Sequence, residues 1–142
     1  MKKFLLLMLF SCLGLGMKAQ TLTNTKTIRI KGIYDFQTEF NEFRVNSYLK
    51  HRFEENGFTV YYDMEETKKG KGEITQSCDE LRCLVTRDKS MLATKLDIKL
   101  INCKGDVVFT ANGESRLKKR SKSHVDALKN ALEYTVLNKN KQ

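Results

Sequence analysis

Cys78, Cys83 and Cys103 have the widest chemistry of any side chains in this chain, because a cysteine serves as nucleophile, metal ligand or half of a disulfide. A structural zinc site wants closely paired ligands, and Cys78-x4-Cys83 is too loose for the usual C-x2-C knuckle. The two histidines add little. His51 lies off the apolar arc of one helix, and His124 stands at the start of another, where the positive dipole end disfavours its protonation. Neither has a serine or an acid at the spacing of a known nucleophilic motif, so both read as surface histidines. Glu54-Glu55 and Glu65-Glu66 are adjacent pairs, and adjacency does not converge two carboxylates on one substrate. Asn112-Gly113-Glu114-Ser115 holds one glycine and no phosphate-cradling pattern. These residues assign no catalytic group, no cofactor and no metal, and an enzyme is the least supported reading.

The start of the chain sets the redox setting for the thiols. Met1-Lys2-Lys3 is cationic, Phe4 to Gly16 is apolar, and Met17-Lys18-Ala19 puts a small residue before Gln20. This is the pattern of a signal peptide over residues 1–19, followed by a single domain over 20–142. The apolar run is too short to span the roughly 30 Å of a bilayer core. An alternative stays open: Leu9-Phe10-Ser11-Cys12 loosely resembles a lipobox, which would anchor the chain by lipid at Cys12, although Phe10 is bulky for it. Either way the chain is expected to be exported, periplasmic or secreted, where disulfides persist. Cleavage leaves 123 residues without proline, which suits one domain.

Strands position the cysteines. Thr27 to Ile33 alternates apolar and polar residues and predicts a first strand. Phe58 to Met64 predicts a second, with Phe58, Val60, Tyr62 and Met64 on one side, and residues 65–77 a long polar loop. Leu81 to Thr86 is the third, with Leu81, Cys83 and Val85 inward. Leu92 to Cys103 is the fourth, with Leu92, Leu96, Ile98 and Leu100 inward and Lys95, Asp97 and Lys99 toward water. Val107 to Ser115 is the fifth. Parity then buries Cys83 and turns Cys78 and Cys103 outward together. A hairpin with four loop residues pairs Val85 with Thr94 and brings Cys78 within one same-face step of Cys103, close enough for a disulfide after a bulge or slight register shift. The expectation is a Cys78–Cys103 disulfide and a buried free thiol at Cys83, whose core environment raises its pKa and makes a catalytic role unfavourable.

Two helices complete the pattern. Residues 39–56 are helical in composition, with Val45, Tyr48, Leu49, Arg52 and Phe53 on one arc and Gly57 as the terminating glycine. Ser123 reads as the cap of a second helix, with Asp126 in capping-box spacing and Val125, Leu128, Ala131, Leu132 and Val136 as its apolar stripe. The fold class is therefore α+β: a two-layer sandwich of order β-α-β-β-β-β-α, with a mainly antiparallel sheet of about five strands and both helices on one face. Phe36, Phe40 and Phe43 lie nearly opposite the arc of the first helix. They either belong to a bent lead-in that returns its rings to the core or form an exposed aromatic patch, a partner surface.

The precursor carries a net charge of +9, and loss of Lys2, Lys3 and Lys18 leaves 23 basic residues against 17 acidic, about +6. Two clusters concentrate it, Lys68, Lys69 and Lys71 in one loop and Arg116, Lys118, Lys119, Arg120 and Lys122 in the connector before the last helix. Solvated loop charge is the plain account. If they converge, an anionic lipid or polysaccharide of the envelope is the partner expected. Nucleic acid is not, because neither cluster interleaves aromatic residues for base stacking.

The stretch from Tyr48 to Asp63, then Cys78, Met91 to Lys95, Leu100 to Phe109, Gly113 to Arg116 and Ala127 to Leu132, resembles short exported proteins of unassigned function in Bacteroidota-type bacteria. The cysteines matching that pattern are Cys78 and Cys103. The resemblance implies a fold and export and brings no activity with it. The leading expectation is an exported, non-enzymatic module acting through protein contacts at Phe36, Phe40 and Phe43. The alternative is a module that binds an anionic envelope component through its basic loops.

Overall fold

The computed structural model describes residues 27–66, 78–89, 92–133 and 135. The segment read as a signal peptide, Cys12, Lys68, Lys69, Lys71 and Val136 lie outside the described residues.

Five strands form one sheet: β1 (Thr27–Ile30), β2 (Thr59–Tyr62), β3 (Glu80–Arg87), β4 (Thr94–Ile101) and β5 (Val107–Ser115). Two helices of more than two turns pack on it, α1 (Val45–Glu55) and α3 (Arg120–Glu133), and a single turn, α2 (Asp63–Glu66), follows β2. The spatial order is β2-β1-β3-β4-β5. This is the expected α+β sandwich in the expected element order. The sheet is mixed: β1 runs parallel to both β2 and β3, whereas β3, β4 and β5 are antiparallel neighbours. The β1·β2 pair is parallel because α1 carries the chain back over the sheet between these two strands, as a crossover must.

Period-two alternation places Ile28, Ile30, Val60, Leu81, Cys83, Val85, Leu96, Ile98, Leu100, Phe109 and Ala111 under the helices. Leu49 and Phe53 of α1, with Ala127, Leu128, Ala131 and Leu132 of α3, close the core from the other side. On the outer face Arg29 is buried and pairs with Glu80 at 2.6 Å. At Gly113 the two layers approach closely. A Cβ there would stand 2.0 Å from the Ala127 carbonyl oxygen and 2.5 Å from the Ala131 nitrogen, so β5 needs glycine at this step.

Several boundaries differ from the sequence reading. The first helix begins at Val45, not near residue 39. Before it stands a 3-10 turn over Glu42–Arg44, with Asn41, Phe43 and Arg44 at φ of 60°, 58° and 61°. Contacts from far along the chain hold this lead-in. Buried Asn46 donates to the Lys31 and Gly32 carbonyls and accepts from Gln37, which also donates to the Glu42 carbonyl. Asn41 Oδ1 takes the Ser47 N–H at the start of α1. The far end follows expectation. Gly57 has a φ of 86°, its N–H reaches the Glu54 carbonyl, and the Phe58 N–H reaches that of Phe53, a Schellman closure with Phe53 and Phe58 in edge-to-face contact.

The second strand ends at Tyr62, because Asp63 turns to accept the Gly32 N–H at 2.6 Å and opens α2, leaving Met64 outside the strand, packed against Gly32. The third and fourth strands pair Val85 with Ile98, not Thr94, because the connection runs over residues 88–93 and is closed by the Asp88 N–H to the Lys95 carbonyl. Leu92 falls in that connection and is 92% exposed, not inward. Despite the changed register, Cys78 and Cys103 form a disulfide with Cα atoms 4.9 Å apart, and Cys83 is the free, buried cysteine. The last helix starts at Arg120, so Ser123 is not its cap. Its hydroxyl bonds Thr94 and the Arg120 carbonyl instead, and Asp126 accepts from the Ser115 hydroxyl at 2.7 Å.

Candidate anion-binding cleft

Two connections meet at one end of the sheet, residues 88–93 between β3 and β4 and residues 116–119 between β5 and α3. Side-chain hydrogen bonds hold the strand ends at which both connections meet the sheet. Thr94 and Ser123 join hydroxyls at 2.9 Å, Ser115 bonds Asp126, and the Leu117 N–H reaches back to the Ser115 hydroxyl at 3.3 Å. Between the connections lies a cleft of about 880 Å³.

Its charged lining is Arg87 and Lys89 from the first connection, Arg116, Lys118 and Arg120 from the second, and Asp35 and Asp88. Positive charges therefore exceed negative ones by three. Arg116 pairs with Glu114, a residue outside the lining, at 3.2 Å. Among the described residues, Arg87 Nε is buried without a hydrogen-bond partner. Three of the basic residues singled out in the sequence thus line one cleft, and Arg87 and Lys89 join them. Lys119 and Lys122 are exposed on the same segment outside the lining. In the sequence Arg87 and Lys89 read only as turn residues of Arg87-Asp88-Lys89-Ser90, with no run of charge to mark them as part of a basic surface.

His124 stacks on Phe36 of the cleft lining and overturns its reading as a surface residue. It is fully buried, stacked between Phe36 and Phe43 at ring separations of 5.7 and 4.2 Å. The cause is the earlier start of α3, which carries His124 past the first turn and under the lead-in to α1. Its Nδ1 lies 2.7 Å from the Arg120 carbonyl, an acceptor, so Nδ1 carries the proton. Nε2 is buried without a hydrogen-bond partner among the described residues. Burial holds the imidazole pKa below its ordinary value; the Arg120 carbonyl and Glu42 oppose this, and Arg87 and Arg120 add to it. His51 stays exposed, 3.5 Å from Glu55.

The three phenylalanines divide between two places. Phe36 and Phe43 are half-buried against His124, and Phe36 also lines the cleft. Phe40 is 43% exposed and meets Tyr62 edge-on at 5.1 Å, with Lys50 over the same ring. Cys83 lies in the core, where burial pushes its thiol up to about 12, far from a nucleophile's range. Among the described residues no three His, Cys, Asp or Glu side chains gather as metal ligands, and no helix is long and apolar enough to cross a membrane. The lining of the cleft carries an excess of positive charge.

No family model and no curated protein matches the chain. It is similar to two solved structures of the PelC dodecamer from Paraburkholderia phytofirmans. A leucine-to-methionine variant of that protein is 13% identical, covers 78% of this chain and 91% of its own, and gives a TM-score of 0.44. The other is 13% identical, covers 75% and 84%, and also gives 0.44. At these values nothing of that protein is carried over.

Proposed function

We propose that this protein is an exported, non-enzymatic binding module whose cleft takes an anionic component of the cell envelope. The observation that carries the reading is the convergence of Arg87, Lys89, Arg116, Lys118 and Arg120 from two separate connections onto one cleft. Like charges repel, so a concentration of five needs a counter-charge to offset it. Export rests on the sequence pattern of residues 1–19 and agrees with the Cys78–Cys103 disulfide, which persists in an oxidising compartment.

Reversing Lys118, Lys119 and Arg120 to Glu tests this with dextran sulfate as the probe. Affinity is expected to fall by at least about tenfold, and the dependence of binding on salt to flatten, since each exposed cation acts through a screened field. Unchanged affinity and salt dependence in the variant would refute the reading.

A second reading, protein contact, is favoured by the exposed apolar side chains Ile33, Phe40 and Met64, with Tyr61 on edge strand β2. Phe40→Ser leaves the core untouched and is the variant that separates it from the first.

A further inference from the structure

The cleft is not purely polar. Leu92, 92% exposed, and Leu117, 51% exposed, project from the two connections that carry its cations. Folded chains seldom leave two leucines this exposed on the lining of one cleft, and exposed apolar side chains among charged ones mark a contact surface. The Leu117 N–H is held by Ser115, and Thr94, two residues beyond Leu92, is tied to Ser123 of α3. Lys89, Arg116 and Lys118, all exposed, stand around them. A soluble polyanion satisfies the cations and leaves the leucines in water, whereas a bilayer surface satisfies both. Its phosphates meet Lys and Arg, and its headgroup boundary takes up short apolar side chains.

Resting on the anion-binding reading above, we propose that this end of the molecule docks on an anionic lipid bilayer, with Leu92 and Leu117 entering the headgroup boundary and the cations of the same connections facing lipid phosphates. The occupant is the lipid surface itself, chosen by charge complementarity combined with exposed apolar tips.

The test is flotation of the mature chain with vesicles of phosphatidylcholine alone or mixed with phosphatidylglycerol, alongside dextran sulfate binding. The wild type is expected to float with the anionic vesicles and not the neutral ones. The double variant Leu92→Ser, Leu117→Ser is expected to lose about tenfold or more in vesicle binding, the effect of withdrawing two partly inserted leucines. Its dextran sulfate affinity and circular dichroism should be unchanged. Undiminished vesicle binding by that variant overturns the proposal, as does an equal loss toward dextran sulfate. A wild type that binds dextran sulfate but no vesicle also overturns it and leaves anion binding standing. One that binds neither removes both.

Discussion

His124 is a buried side chain whose protonation depends on its surroundings. Stacked between Phe36 and Phe43, with Nδ1–H given to the Arg120 carbonyl, it has room for a second proton only on a buried Nε2. Its folded pKa is depressed, while in the unfolded chain it returns to about 6.5. The unfolded state therefore takes up the proton first. Stability is full above about pH 6.5 and falls as the pH drops from there toward the folded pKa. Urea unfolding midpoints between about pH 7.5 and about pH 5.5 should decline, and His124→Phe should flatten that decline; an identical slope in the variant would contradict it. Glu42, whose pKa is lowered chiefly by the Thr38 N–H, acts in a separate window below about 4.5. The cysteines were legible in the sequence because alternation sorts faces whatever the register. His124 was not, because its burial depends on where α3 begins, and Ser123 bonds Thr94 across the fold where a cap was expected.

At the scale of elements, strand parity was readable and strand pairing was not. Leu81, Cys83 and Val85, with Leu96, Ile98 and Leu100, face the core as alternation dictates, but the hairpin between them closes six residues apart instead of four. The lead-in to α1 shows the same limit. Composition favours helix from residue 39, yet the Asn46 and Gln37 amides hold Asn41, Phe43 and Arg44 in the left-handed region, a non-local cause that no periodicity reports. Gly113 gives an element-scale prediction. Gly113→Ala drives a methyl into the α3 backbone and should cost about 1–3 kcal/mol by urea denaturation, as overpacking does. An unchanged midpoint would mean that α3 sits farther from β5.

At the scale of the whole molecule, the sheet carries its charge unevenly. The basic run before the last helix was visible in the sequence, but Arg87 and Lys89 join it only because antiparallel pairing of β3, β4 and β5 brings two connections to one end. A cleft and a diffuse basic surface make different claims about where binding energy resides. The most direct measurement compares dextran sulfate affinity in two variants of equal net charge. Lys118→Glu with Arg120→Glu reverses the cleft, and Lys99→Glu with Lys129→Glu reverses exposed lysines outside it. The account predicts a loss of at least about tenfold for the cleft pair and little change for the other, since screened charges beyond a Debye length of about 10 Å contribute weakly. Equal losses in the two variants would contradict it.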